Sequence, residues 1–159
     1  MRYWLMKSEP AEFSIDDLAC APRRSAAWTG VRNYQARNFM RDDMRSGDRA
    51  FFYHSSCAVP GIAGIAEIAK SAYPDPTQFD PGDEYFDPKA TRDRPRWFSV
   101  EVKLVAKTRL VPLPELRARR QLADMRLLAR GNRLSITPVT AAEWKFILRL
   151  MKKPAGGGS

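Results

Sequence analysis

A single histidine, His54, is all that the 159 residues contain, which excludes any metal site built on several imidazoles. The two cysteines, Cys20 and Cys57, stand 37 positions apart without a CxxC pair, so a structural zinc site is not expected and a reducing compartment is. No Walker loop and no GxGxxG occurs. The stretch Gly61–Gly64 lacks both a third glycine and a following Lys-Ser/Thr, and reads as a glycine-pinched strand. No apolar run approaches the roughly 20 residues that span a bilayer, and the N-terminus has no signal-peptide layout. A cytoplasmic protein with no membrane partner is the expectation. A Ser-His-acid set can be drawn from Ser8 or Ser55 with His54 and Glu9, but no nucleophile elbow supports it. Glu9 and Glu67 lack a visible partner for two-acid chemistry. No catalytic residue, cofactor or metal is therefore expected.

What is present is charge of one sign at one end. The formal net charge is +9. Residues 1–106 hold 15 Lys+Arg and 15 Asp+Glu, whereas residues 107–159 hold 12 and 3, so the whole excess lies in the C-terminal third. Arginine supplies 19 of the 27 basic residues, and its planar fork suits phosphate. Such one-sidedness is the footprint of a polyanion binder; a solvated helix face is the bland alternative.

The segment Trp28 to Asn38, W-T-G-V-R-N-Y-Q-A-R-N, gathers two aromatics, two arginines, two asparagines and a glutamine around one glycine. It is too polar for a core element and too rich in flat side chains for an ordinary loop. Flat faces stack on a planar ligand while amides read its edge, which points to a nucleobase or similar heterocycle.

Pattern along the chain predicts an α+β class with a curved, mostly antiparallel sheet or barrel and about four short helices. Strands are expected over 2–7, 49–55, 61–73, 97–110 and 131–136. Ser14 with Asp17, and Thr140 with Glu143, look like helix caps. Pro22 to Ser25 reads as a turn. Ala36, Phe39, Met40 and Met44 make a buried helical stripe opposite a row of Arg37, Arg41 and Arg45. Residues 112–130 read as a helix with arginine outside, and 75–96 as a long irregular connection of the functional or mobile kind. Trp144, Ile147, Leu148 and Met151 should pack a last helix on the sheet. One domain is expected over 1–153, followed by a disordered tail over 154–159.

The motifs Y-W-L-M-K-S-E-P (Tyr3–Pro10), W-T-G-V-R-N-Y-Q-A-R-N, Y-H-S (Tyr53–Ser55), G-I-A-G-I-A-E-I (Gly61–Ile68), A-Y-P-D (Ala72–Asp75) and R-L-S-I-T-P-V (Arg133–Val139) closely resemble the EVE domain, shared with the thymocyte nuclear protein family. The similarity runs in order from residue 2 to about 148. It implies a PUA-like pseudobarrel and a non-enzymatic module that reads a modified base in DNA or RNA, such as a methylated or hydroxymethylated cytosine or a methyladenine. The family's eukaryotic members carry a basic N-terminal tail missing here, which implies a stand-alone, bacterial-type protein without nuclear targeting; a monomer is expected.

On that resemblance an extruded base sits among Lys7, Ser8, Glu9, the run Trp28, Val31, Arg32, Asn33, Tyr34 and Gln35, and the strand end Tyr53, His54 and Ser55. Trp28 with Trp97 or Tyr34 sandwiches the ring. Asn33 and Ser8 meet the Watson–Crick edge. Arg32, Arg37 and Arg133 meet the flanking phosphates, and Arg41, Arg117 and Arg120 complete the phosphate-binding set. Two alternatives stay open: Trp28 as a core anchor, and Asn33 as a helix cap. Two other functions use the same pocket: a small enzyme with Lys7, Glu9 and His54 as acid and base, or a small-ligand sensor.

Overall fold

The strand order in the computed structural model, whose described residues are 1–153, follows from which alternating segments can bury both faces. The strands are β1 (Tyr3–Ser8), β2 (Ser25–Trp28), β3 (Arg49–His54), β4 (Gly61–Pro74), β5 (Phe98–Pro112) and β6 (Ile136–Val139). They form one six-stranded sheet in the order β2-β5-β4-β3-β1-β6. Every pairing is antiparallel except β1 with β3. The mixed α+β class and the PUA-like arrangement expected from the sequence are what the chain adopts. The tail expected over 154–159 lies outside the described residues.

Period-two alternation sends neighbours to opposite faces, and two cores result. Trp4, Met6, Ala50, Phe52, Val100 and Val102 belong to one, with Trp28 and Val31. Leu5, Phe51 and Tyr53 belong to the other, with Trp144, Ile147 and Leu150. These last three come from α4 (Ala141–Met151), whose Thr140–Glu143 capping box is formed. Trp144 stacks on Phe51 with ring centres 4.0 Å apart. At the pinched strand, a Cβ on Gly64 would stand 2.7 Å from the Ala106 carbonyl oxygen, so the β4–β5 approach needs glycine.

Helix α1 (Ile15–Cys20) carries the expected box of Ser14 and Asp17. Helix α2 (Tyr34–Asn38) ends sooner than its periodicity predicts, and Phe39–Asp43 continue as a wider π turn. Ala36, Met40 and Met44 are still fully buried. Three segments differ more. Ser25–Trp28 is a strand rather than the end of a turn, because β5 offers it a ladder from Lys103 to Val100. Helix α3 (Leu113–Arg117) is one short turn followed by tight turns at Arg120–Leu122 and Arg126–Leu128. Leu116, Leu122, Met125 and Leu127 all reach the second core, and their spacing fits no single helical stripe. Finally β6 begins only at Ile136; its Pro138 is tolerated because β6 is an edge strand paired to β1 alone.

Candidate functional site

Where β1 and β3 run out side by side and β2 leads into α2, a cleft of about 690 Å³ opens, within the usual size of small-molecule sites. Its apolar lining is Phe13, Ala27, Trp28 and Val31. Trp28 is 8% exposed and meets Phe52 edge-on at 5.6 Å, so it is a core anchor that also faces the cleft. Ser8, Thr29, Asn33, Ser55, Ser56 and Ser135 supply hydrogen-bonding groups around it. The Ser8 hydroxyl donates to the Phe13 carbonyl at 2.6 Å, which leaves its oxygen able to accept. Asn33, which lines the cleft, uses Oδ1 to cap α2, accepting from the Ala36 amide at 3.0 Å, so the helix-cap alternative is what the structure shows.

The charges are mixed: Lys7, Arg32 and Arg133 against Glu9, Glu12 and Glu84. Burial lowers the Lys7 pKa from its ordinary value. Tyr85 is shifted upward, first by burial and then by Glu84, Glu12 and Glu9, so the phenol stays neutral and keeps its donor.

Tyr85 forms a wall that the sequence did not reveal. It comes from the 75–96 connection, and its ring lies so close to Gly30 that a Cβ there would stand 2.7 Å from it. Gly30 also has φ +83°, which favours glycine independently. What fixes this wall is Arg32. Its five N–H donors make five bonds: to Tyr85 O twice (3.2 and 2.8 Å), Val31 O (3.0 Å), Asp75 Oδ2 (3.1 Å) and Thr77 Oγ1 (2.9 Å). Asp75, fully buried, also accepts from the Gly30 amide at 2.8 Å and from Thr77. Burial alone would raise its pKa; the bonds from Thr77, Gly30 and Arg32 outweigh burial and lower it.

The structure thus gathers Lys7, Ser8, Glu9, Trp28, Val31, Arg32, Asn33, Ser55 and Arg133 at one cleft. Arg32 is there as a strut, and with every donor used it has none left for phosphate. Tyr53 is not there: strand alternation turns it into the second core, 3% exposed. His54 is held elsewhere too, its Nε2 accepting from the Ile15 amide at 3.0 Å, and burial lowers its pKa. Gln35 is exposed on α2 outside the cleft. Trp97 is 6% exposed, stacked on Tyr34 at 4.8 Å, with Nε1 donating to Asp87, so neither ring completes a sandwich with Trp28. Arg37 bonds Asn38 and the Arg96 carbonyl, and Arg41 pairs with Asp42. Arg117 and Arg120 are exposed and do not line the cleft.

Residues 2–150 match the EVE domain. The chain belongs to the EVE domain family. Human thymocyte nuclear protein 1 is 46% identical over 169 residues, covering 95% of this chain and 74% of that protein. The crystal structure of human THYN1 in complex with 5-methylcytosine-containing DNA superposes with a TM-score of 0.92, at 44% identity over 97% of this chain and 99% of that one. A Pseudomonas syringae protein of known structure is 51% identical, with a TM-score of 0.89 over 94% of this chain and 99% of that one. In this EVE domain, no helix among the described residues is long and apolar enough to cross a membrane. No group of three His, Cys, Asp or Glu among them is placed to hold a metal ion.

Proposed function

We propose that this EVE domain is a non-enzymatic reader of a modified base, taken one at a time out of the nucleic-acid stack into the cleft. The observation that carries it is the combination at one opening of an aromatic lining (Phe13, Trp28, Tyr85) with short hydroxyl and amide side chains. That pairing suits the face and the edge of a nucleobase. The human relative crystallised with 5-methylcytosine-containing DNA supports DNA as the polymer and a methylated cytosine as the first base to test. Glu9, Glu12 and Glu84 at the opening add a preference for bases with an exocyclic amino group, since a carboxylate accepts from cytosine N4. Lys7 and Arg133 are the cations at the opening able to meet the phosphates beside it. Residues 1–153 act as one domain and bind as a monomer. The unpaired cysteines Cys20 and Cys57 suit a cytoplasmic location.

The test is fluorescence anisotropy with one oligonucleotide sequence, prepared with cytosine, 5-methylcytosine, 5-hydroxymethylcytosine or N6-methyladenine at one position. A preference of about tenfold for one modification, equivalent to about 1.4 kcal/mol, is the expected result. Equal affinity for all four probes would overturn the reading.

A further inference from the structure

Trp97 and Tyr34, which do not enter the cleft, form with it a continuous column of flat groups. The Arg32 guanidinium lies 5.3 Å from the Tyr85 ring centre and also 5.3 Å from that of Trp97. Trp97 stacks on Tyr34 at 4.8 Å with 27° between planes. Arg37 lies 4.7 Å from the Tyr34 ring centre and 5.9 Å from that of Trp97. One end of the column is the cleft wall, Tyr85. The other end is Tyr34, which is 51% exposed.

An aromatic ring left half in water is not explained by the core, because Tyr34 belongs to neither buried cluster. It is nevertheless ordered by its stack, so a ligand that lies on it removes little rotamer freedom. The surroundings are cationic. Arg41 and Arg96 lie near enough to add to the charge around Arg37, and the Arg96 carbonyl accepts from Arg37 at 2.9 Å. The nearby acids are Asp42, paired with Arg41, and Asp87, 3.8 Å from Arg96. Arg37 spends only some of its donors on Asn38 and Arg96. A flat platform beside surplus guanidinium groups matches a nucleobase attached to its phosphate.

We propose that Tyr34 is a second nucleobase subsite, stacking a base that flanks the one held in the cleft, while Arg37 and Arg96 meet the connecting phosphate. The proposal rests on the cleft being a base site. It assigns the two positions different tasks: the cleft selects the modification, and Tyr34 adds affinity without regard to sequence, because every base has a π face.

The experiment uses two short single strands carrying 5-methylcytosine, one with ordinary bases on both sides and one with abasic sites there. Each has an unmodified-cytosine control. Wild type should bind the base-flanked strand about tenfold more tightly than the abasic-flanked one. Tyr34→Ala should erase that difference while keeping its affinity for the abasic-flanked strand within about twofold of wild type. Tyr34→Trp should retain the difference. The abasic-flanked strand doubles as a check that the cleft is intact. Should Tyr34→Ala keep the full preference for flanking bases, the platform proposal is wrong. Equal weakening on both strands would also overturn it, since the ring would then merely cover Trp97. Failure of wild type to distinguish 5-methylcytosine from cytosine on either strand would instead defeat the cleft reading, and the platform with it.

Discussion

Replacing Asp75 should destabilise the protein and disable the cleft together. The carboxylate is fully buried and accepts from Gly30, Thr77 and Arg32. Hydrogen bonds to a charged group contribute about 1.5–3 kcal/mol each, but they share one acceptor and do not add. Removing one partner of a buried ion pair costs about 3–5 kcal/mol. The Arg32 side chain is 21% exposed, so water relieves part of the loss and the lower end, about 3 kcal/mol, is expected for Asp75→Ala. In a domain of this size that is a fall in Tm of about 10 °C. Urea unfolding at neutral pH reads the free energy directly, and Arg32→Ala with the double variant gives the coupling. The folded-state pKa is depressed, so the stabilisation is complete above the unfolded value of about 3.9. It fades as pH falls through the native value, and the gap to Asp75→Asn should shrink on acidification. A loss below about 1 kcal/mol for Asp75→Ala would refute the reasoning, as would a gap that ignores pH.

Trp28→Ala should cost about 3–5 kcal/mol in urea unfolding, because the ring is packed on Phe52 in the first core; Trp28→Phe is the milder probe of its cleft face. Tyr85→Ala should abolish the preference for a modified base in anisotropy while costing less stability than Trp28→Ala, because Tyr85 is a wall on the irregular connection. Arg133→Ala should weaken binding to all probes alike and reduce the slope of log affinity against log salt by about one. His54 is held neutral with a lowered pKa and accepts from Ile15. The unfolded chain therefore binds its proton first, and stability should fall as pH drops through about 6.5. His54→Gln should flatten that dependence in urea midpoints.

How much of the site the sequence discloses depends on the range of the interactions. The segment from Trp28 to Asn33 announces itself by composition, the strand end at Lys7 and Ser8 only through the resemblance to the EVE domain, and the helix caps at Ser14 and Thr140 by spacing. Tyr53, His54 and Ser55 are contiguous in the chain, yet alternation and the end of β3 send them to three surroundings. A motif of adjacent letters conceals that separation. Glu12, Phe13, Ser56, Glu84, Tyr85 and Ser135 lack a local signal, because each reaches the cleft through a loop whose path is set by distant partners. The only hint of Tyr85 was the length of the connection that carries it. Asp75 stands at the start of the 75–96 connection without a local signal; its role depends on Gly30 and Arg32, more than forty positions away. The arginine-rich 112–130 stretch reads as one helix because charge on an outer face imitates amphipathicity. Its buried residues instead follow the shape of the second core.

The most direct test of the cleft as the base site is an amide NMR titration with a 5-methylcytosine oligonucleotide and its unmodified twin. The largest shifts should fall on Thr29 to Asn33, Ser55, Ser56, Glu84 and Tyr85, and the twin should move them far less. Shifts confined to the arginine-rich face around Arg117 to Arg130, the same for both strands, would contradict the cleft as the place where the base is read.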